Sequence, residues 1–292
     1  MEINANYSFQ VDSDIVKSVF KEKDNFLIEY SKDVPKKYCI VYFASNDLYY
    51  PNTEMAFQKQ LLDKNRFEWY KTRIKYGYKH IFIRDIQKQW YLGGINSDIN
   101  NPSKLFDFLK AETEGYSIVM VGSSAGGFAA TIYGQLLKAE RIYSFNGQFE
   151  IRSILNSSSE NIDPLIFRYK DISDFIKWYD TRNFISNPSS IYYFQSLDSK
   201  WDISQFEQIK DVPIKRIGFK TSNHGIPFLS ANLPFVLNLN DSELIKLTKK
   251  NQSPLIFSIK AIGLFQTIMA LSVILNYGIK KIYRNTVLKA KN

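Results

Sequence analysis

The amino-acid sequence predicts an α/β fold with a mostly parallel sheet and helices on both of its faces. Short β-rich apolar runs alternate along the chain with longer segments in which apolar residues recur at helical spacing. Such alternation requires crossover connections, which make the strands parallel and cover both faces of the sheet with helices. The length of 292 residues is enough to bury the core of one large domain of this class.

The predicted elements follow one another in a regular order. The predicted strands cover residues 38–44, 80–85, 117–122, 141–147, 190–198 and 213–220, with an edge strand at 25–30. The predicted helices cover residues 54–64, 102–112, 126–140 and a segment around 202–210. Residues 151–188 are irregular and indicate an inserted helical segment or a lid. We therefore expect one domain over 1–250 and a separate helical segment over 251–292.

Composition and charge narrow the range of partners. The formal net charge is +9, which either has no functional partner, as in many soluble cytosolic proteins, or attracts an anionic substrate, a phosphorylated cofactor or an acidic membrane surface. No zinc-finger spacing and no RRM signature occurs, so no nucleic-acid partner is expected. The single cysteine, Cys39, cannot form an intramolecular disulfide, and Met1–Gln10 lacks the apolar run of a secretory signal. We expect a cytoplasmic location.

The C-terminal segment has an uncharged stretch over residues 261–279, near the lower length limit for a transmembrane helix. Basic residues flank it on both sides, namely Lys260, Lys280, Lys281 and Arg284. Three alternatives stay open. The helix packs on the body or in a homo-oligomer interface, it lies in the plane of a membrane surface, or it spans the membrane. Positive charge on both sides gives no orientation for a span.

A G-x-S-x-G pattern marks the candidate reactive residue. Gly122-Ser123-Ser124-Ala125-Gly126 directly follows the strand residues 117–121 and directly precedes a helix, as a nucleophile elbow requires. The serine must take a strained backbone conformation, and a side chain at either glycine would collide with the neighbouring turn. The alternative is a glycine-rich turn that binds phosphate or no ligand, with Ser124 as a helix cap. The context favours a serine nucleophile in an α/β-hydrolase-like fold.

A nucleophilic serine needs a base and an acid downstream in the order Ser, Asp or Glu, His. His224 follows the last predicted strand, whereas His80 precedes a strand at the wrong edge of the sheet and is expected to be structural. Asp198, at the end of the strand 190–198, is the first choice for the acid. Asp202 is the alternative, with a competing role as an acid in the first turn of a helix.

The oxyanion hole of such a site needs two backbone N–H donors. The residue after the nucleophile, Ala125, supplies the first. The second comes from the loop after an early strand, and Ser45 in the loop after residues 38–44 is the candidate.

The segment VGSSAGGFAATIYGQLLKAERIYSFNGQ (121–148), preceded by FIRDIQKQWYLGG (82–94), resembles α/β-hydrolase-fold proteins of bacterial capsule and surface-polysaccharide biosynthesis. These include capsule O-acetyltransferases with a Ser-Asp-His triad. The resemblance places the nucleophile, acid and histidine on Ser124, Asp198 and His224. It also implies that Trp90 and Tyr91 bind substrate, by stacking on a sugar ring, although ordinary packing is the alternative. Many related proteins have Ser-Pro-Gln where this chain has Asn-Gly-Gln at 146–148.

Three functions follow as expectations. The first is an O-acyltransferase that moves an acetyl group from acetyl-coenzyme A, through acyl-Ser124, to a hydroxyl of an anionic surface polysaccharide. The second is an esterase or deacylase with the same residues, in which water accepts the acyl group. The third is a non-catalytic module that docks on a membrane surface or an assembly complex through residues 255–284. No metal and no permanently bound cofactor is expected.

Overall fold

The computed structural model describes residues 7–275 and contains a seven-stranded sheet. The strands are β1 (Phe26–Tyr30), β2 (Tyr38–Phe43), β3 (Lys79–Ile83), β4 (Ser117–Ser123), β5 (Arg141–Phe145), β6 (Ile191–Ser196) and β7 (Lys215–Phe219). Their order in the sheet is β1-β3-β2-β4-β5-β6-β7. β1 runs antiparallel to β3, and every other pair is parallel. The predicted strands are confirmed, with ends shifted by a residue or two.

Helices cover both faces of this sheet, as predicted. They are α1 (Phe9–Asp12), α2 (Asp14–Glu22), α3 (Glu54–Phe57), α4 (Pro102–Thr113), α5 (Ala125–Leu136), α6 (Pro164–Tyr169), α7 (Ser173–Ile176), α8 (Lys200–Glu207), α9 (Leu233–Val236), α10 (Asp241–Thr248) and α11 (Pro254–Ile262). A π-helical turn over Gln58–Asp63 continues α3. The predicted helix at 54–64 therefore changes its winding near its centre, and the predicted helix at 126–140 ends at Leu136.

Two apolar cores lie on the two faces of the sheet because successive side chains of a strand point to opposite sides. Val41 and its neighbours on one face pack against α4 and α5, whose contributions include Leu105, Leu109 and Phe128. Tyr42 and its neighbours on the other face pack against α9, α10 and α11. The strands β2 to β6 are buried on both faces, which explains why they read as apolar runs rather than as alternating patterns.

The segment 151–188 forms α6, α7 and several short 3-10 turns. It packs on the N-terminal part of the chain, where Ser8 Oγ donates a hydrogen bond to Glu160 O at 2.9 Å. The Leu165 N–H donates to Gln89 Oε1 at 3.0 Å, which joins α6 to the loop after β3. The role of this segment as a lid stays a prediction, as does the domain boundary at 250.

The C-terminal part turns sharply at Gly263, whose φ is +85°. α11 ends before this glycine, and residues 264–275 form a further helical stretch. This stretch exposes large apolar side chains, among them Leu264, Phe265, Ile268, Met269, Val273 and Ile274. Within residues 7–275, no helix has both the length and the apolar character needed to cross a bilayer. The predicted uncharged stretch at 261–279 extends beyond the described residues.

Candidate active site

The turn between β4 and α5 holds Ser124 in a conformation that few side chains adopt. Its φ is 52° and its ψ is −122°, which lifts the residue out of the strand before α5 begins at Ala125. A Cβ atom on Gly122 would lie 2.0 Å from Gly126 O, and one on Gly126 would lie 2.3 Å from Phe43 O. Steric contact therefore requires glycine at both positions, for the reason that the motif predicts.

His224 lies against Ser124 from the loop after β7. Its Nε2 is 2.9 Å from Ser124 Oγ, and its Nδ1 is 2.8 Å from Asp202 Oδ1. With Nδ1–H donating to the carboxylate, Nε2 is free to accept the serine proton. The side chain of His224 is 41% exposed, while that of Asp202 is 1% exposed. The two ends of this hydrogen-bonded series therefore differ in solvent access, with the serine end toward solvent.

The acid beside His224 is Asp202, the alternative, and not Asp198, the first choice. β6 ends at Ser196, and the turn after it leaves Asp198 exposed, with its N–H bonded to Thr221 O at 3.0 Å. The first turn of α8 then brings Asp202 inward. Ser199 caps this helix by accepting the N–H of Asp202 at 3.3 Å, so the aspartate is not itself the cap.

The carboxylate of Asp202 is deeply buried beside polar groups of β6. Its Oδ2 has no hydrogen-bond donor among the described residues, and the Tyr193 hydroxyl and Gln195 Oε1 have no partner there either. Burial raises the pKa of Tyr193 well above its usual value, and the charge of Asp202 adds to this effect. The phenol stays protonated as a result. The hydrogen bond from His224 is thus the main interaction that compensates the charge of Asp202.

Of the two predicted oxyanion donors, the structure leaves one available. Ala125 is the first residue of α5, and its N–H has no acceptor among residues 7–275. The N–H of Ser45 donates to Glu68 Oε2 at 2.6 Å, and Ser45 Oγ donates to Glu68 Oε1 at 3.1 Å. Ser45 is therefore placed near the turn, as expected, but its N–H is already engaged by a carboxylate.

Glu68 was not predicted from the sequence. It lies between α3 and β3 in a segment without a recognisable motif, and only the folded chain brings it to the loop after β2. Burial raises its pKa, while the two hydrogen bonds from Ser45 oppose that rise. A carboxylate consequently lies in the wall of the site, next to the backbone that faces Ser124.

Gln148 connects Ser124 with Trp90. Its Nε2 donates to Ser124 Oγ at 3.2 Å, and its Oε1 accepts from Trp90 Nε1 at 3.1 Å. Trp90 therefore acts on the site through Gln148. Tyr91 is 1% exposed, and its hydroxyl donates to Ala44 O at 2.8 Å. The assignment of Tyr91 to substrate binding is wrong for this conformation, because the ring is buried in the core and supports the loop after β2.

The loop that carries these aromatic residues is organised by Asp85. The carboxylate accepts backbone N–H bonds from Gln87, Lys88, Gln89 and Tyr91 at 2.7–3.1 Å. Burial raises the pKa of Asp85 to about 6, against the opposing effect of these four hydrogen bonds. The acidic residue in the segment 82–94 therefore shapes the loop and lies outside the site.

Asn146 holds the loop that carries His224. Its Nδ2 donates to Gly225 O at 3.0 Å and to Ser196 Oγ at 2.8 Å, and its Oδ1 accepts the N–H of Ser196 at 2.8 Å. Its φ of 45° is in the left-handed region, which asparagine tolerates better than most residues. The sequence alone did not identify Asn146 as a residue that positions this loop.

A cavity of about 540 Å³ opens on Ser124 and His224. Its walls come from the loops after β2, β4 and β7, with Glu68 at one side. No group of three His, Cys, Asp or Glu side chains suited to a metal ion occurs within residues 7–275. His80 is buried at the start of β3, where Tyr42 and Ser31 hydrogen-bond its ring, away from this cavity.

No protein-family model matches the chain, and no curated protein matches it in sequence. Solved structures similar to it include the capsule O-acetyltransferase of Neisseria meningitidis serogroup A. It has 17% identity and a TM-score of 0.46, covering 67% of this chain and 83% of that one.

The same acetyltransferase in complex with CoA has 16% identity and a TM-score of 0.43, over 67% of this chain and 83% of that one. An S-formylglutathione hydrolase from Agrobacterium tumefaciens has 10% identity and a TM-score of 0.43, over 76% of this chain and 89% of that one. The strand order and the turn at Ser124 are those of an α/β-hydrolase-like fold.

Proposed function

We propose that this chain is a serine-dependent acyl-transfer enzyme with Ser124 as nucleophile, His224 as base and Asp202 as the orienting acid. The observation that carries the proposal is the continuous hydrogen-bonded series from Ser124 Oγ through the imidazole to Asp202 Oδ1, at 2.9 and 2.8 Å. It lies on a strained turn at the carboxyl end of a central parallel strand, where α/β sheets bind their ligands.

The first half-reaction acylates Ser124. The hydroxyl oxygen attacks the carbonyl carbon of an ester or thioester while His224 Nε2 takes its proton. Asp202 stabilises the imidazolium that forms, and the N–H of Ala125 donates to the oxyanion. The tetrahedral intermediate then expels the leaving group, which takes the proton from His224. The products are acyl-Ser124 and the free alcohol or thiol.

The second half-reaction transfers the acyl group to an acceptor. His224 takes the proton of an incoming hydroxyl, whose oxygen attacks the acyl carbon, and Ser124 leaves with that proton. A sugar hydroxyl as acceptor makes the enzyme an O-acyltransferase, and water makes it an esterase. Gln148 donates to Ser124 Oγ. This hydrogen bond leaves the serine proton directed at His224, and so favours the reactive arrangement for the acylation of Ser124.

Within this class, we place the enzyme in bacterial surface-polysaccharide biosynthesis, as an O-acetyltransferase with acetyl-coenzyme A as donor. The segment 121–148, together with the intact serine and histidine, supports this choice over a non-catalytic module. The carbohydrate esterase remains the second candidate because Ser124 opens on a solvent-accessible cavity.

One experiment separates these functions. The protein is incubated with labelled acetyl-coenzyme A and candidate polysaccharides, with Ser124→Ala as the control. Label on the polysaccharide that depends on Ser124 is the expected result. If labelled acetate appears only in free solution, the transferase function is excluded and the esterase function is supported. No turnover, together with no labelling of Ser124 by a fluorophosphonate probe, would contradict both enzymatic functions.

We further propose that the C-terminal helices dock the enzyme on an anionic membrane surface at the cytoplasmic face. Over 254–275, apolar side chains are exposed on both sides of the turn at Gly263, with Phe265 at 70% and Leu264 at 60%. The charged residue in this stretch is Lys260, and further basic residues follow at 280–284. An apolar face with basic flanks is the pattern of helices that lie in the interface of anionic bilayers.

Sedimentation with liposomes tests this docking. The protein should sediment with vesicles that contain phosphatidylglycerol, and the double variant Phe265→Glu/Ile268→Glu should stay in the supernatant. Ile162→Glu is the matched control, because Ile162 is also an exposed apolar residue (59%) but lies in the segment 151–188. Equal sedimentation of both variants would contradict the proposal. The proposal would also be contradicted if the protein did not bind vesicles and analytical ultracentrifugation showed that it self-associates through this face.

A further inference from the structure

The cavity at Ser124 has a charge opposite to that of the whole chain. The chain has a formal net charge of +9, whereas the cavity lining contains two carboxylates, Asp47 and Glu68, and neither lysine nor arginine. The two lie on the same side, in and beside the loop after β2. An acidic group bound next to Ser124 would therefore face two negative charges without a cation to pair with.

Two basic residues near this wall, Arg66 and Lys88, hydrogen-bond groups outside the cavity. Arg66 Nη1 donates to Leu48 O at 3.0 Å. Lys88 Nζ donates to Tyr49 O at 3.0 Å and to Asn52 Oδ1 at 2.6 Å. Both side chains thus have neutral acceptors, and neither reaches the surface of the cavity. Their charge reduces the negative potential of the wall without offering an anion a hydrogen-bond donor.

Other cavity groups are suited to neutral hydroxyl groups. The side chains of Asn46, Ser123 and Ser230 line the cavity, and none of them has a hydrogen-bond partner among the described residues. Ile226 is the only large aliphatic side chain in the lining within residues 7–275. The cavity consequently provides donors and acceptors for several hydroxyls, and it provides little apolar surface for a long acyl chain.

Glu68 has a fixed position in this wall. Both of its oxygens accept hydrogen bonds from Ser45, one from the backbone N–H and one from the hydroxyl. Each oxygen retains a second lone pair for a hydroxyl donor from a ligand. The carboxylate can therefore accept a hydrogen bond from a sugar hydroxyl, and it repels a carboxylate or phosphate at the same place.

We propose that the alcohol bound beside Ser124, whether acceptor or leaving group, is a neutral polyhydroxyl compound such as an uncharged sugar unit, and that Glu68 and Asp47 select against acidic sugars. The inference rests on the proposed acyl-transfer function. It revises the expectation of an anionic polysaccharide, because the positive charge of the chain does not extend into the cavity. An acidic sugar unit beside Ser124 would bind more weakly than a neutral one, whatever the charge of the rest of the polysaccharide.

The test compares two acetyl esters that differ in one charge, the O-acetylated methyl glycoside of glucuronic acid (methyl glucuronoside) and the O-acetylated methyl glycoside of glucuronamide. Release of each alcohol on acylation of Ser124 needs neither coenzyme A nor an acceptor. The second-order rate constant for acylation of Ser124, read from the first burst of released alcohol, should be about tenfold higher for the amide than for the carboxylate, which corresponds to about 1.4 kcal/mol of charge repulsion across the cavity. Equal values, or a preference for the carboxylate, would overturn the proposal.

The charge selection is assigned to the two carboxylates with matched variants. Glu68→Gln/Asp47→Asn should reduce the preference to less than about threefold. The Glu68→Gln change preserves the local structure, since the amide oxygen can accept the N–H of Ser45 while the amide nitrogen donates to Ser45 Oγ. Asp107→Asn removes the same charge from an exposed position on α4, next to the C-terminal end of α5 and far from Ser124. This variant should keep the tenfold preference. An unchanged preference in the double variant would show that these carboxylates do not select the ligand.

A binding measurement separates this inference from the proposed function. In Ser124→Ala, which cannot be acylated, saturation-transfer NMR should detect the methyl glycoside of glucuronamide and a signal from methyl glucuronoside that is several-fold weaker. If wild-type protein fails to acylate but this binding preference is present, acyl transfer is wrong and the charge selection stands. If acylation proceeds and methyl glucuronoside binds equally well, acyl transfer stands and the charge selection is wrong.

Discussion

The turn at Ser124 and the C-terminal stretch 254–275 are determined in opposite ways. At the turn, backbone contacts fix nearly every residue, since Cβ atoms at Gly122 or Gly126 would overlap carbonyl oxygens at 2.0 and 2.3 Å. In the C-terminal stretch, most large apolar side chains are exposed to solvent, at 36–70% of their surface. Only Phe257 and a few neighbours join the body of the protein, through the second core.

This difference shows what a local pattern can specify. A motif defined by steric exclusion carries its own geometry, so the five residues, together with the strand before them and the helix after them, predict the turn. An apolar stretch specifies only that water is unfavourable beside it, and it does not specify which surface replaces the water. Substitutions in the two regions should therefore have different effects. Those at the turn should reduce activity or stability, and those in the stretch 254–275 should weaken a contact with an external surface.

The largest effect is expected at the acid of the site. Asp202→Asn should lower kcat/KM for an acetyl ester by about 10⁴-fold, because the amide favours the wrong tautomer of His224 and cannot stabilise the imidazolium. Asp198→Asn is the matched control and should stay within about threefold of the wild type, since its side chain is exposed and does not contact His224. Comparable losses in both variants would show that Asp202 is not the specific acid.

The next effect concerns the glycine that closes the turn. Gly126→Ala should destabilise the protein by about 3 kcal/mol or more, since its Cβ would overlap Phe43 O and the backbone cannot move without opening the sheet. Gly115→Ala should cost about 1 kcal/mol, because the φ of +80° is strained for alanine but the surrounding space is open. Urea unfolding measures both. A Gly126→Ala protein as stable as Gly115→Ala would contradict the tight contact.

A smaller effect should follow from loosening the histidine loop. Asn146→Ala removes three hydrogen bonds that hold Ser196 and Gly225, so kcat should fall about 10- to 100-fold as His224 loses its position. Gln135→Ala is the control, because it also loses buried hydrogen bonds, to Asn187 and Ser190, at the other end of α5. Equal kcat values in the two variants would mean that Asn146 only stabilises the fold.

The sequence predicts the central strands because each of them is a short apolar run. Such a run is typical of a strand that is buried on both faces of a parallel sheet. The sequence also predicts the serine turn and the place of His224 after the last strand. Asp198 and Asp202 are harder to separate, because one turn of α8 decides which carboxylate points inward. That depends on where β6 ends, which no local pattern fixes.

The contacts that escape prediction are those made across the chain. Glu68 reaches Ser45 from a segment with no periodicity, and Asn146 reaches Gly225 from another strand end. Tyr91 follows the aromatic pattern of a binding residue, yet burial against Ala44 decides its role. A polar or aromatic residue in a loop has several energetically similar placements, and long-range packing selects one of them.

The smallest effect is expected in the C-terminal stretch itself. Phe265→Ser should change the free energy of unfolding by no more than about 0.5 kcal/mol, because the ring is 70% exposed and leaves no cavity when removed. Phe257→Ser, on the preceding helix α11, should cost about 3 kcal/mol, because its ring packs on Phe219 and Phe228 in the second core. A large loss from Phe265→Ser would mean that this face packs on the protein and is not available to a membrane.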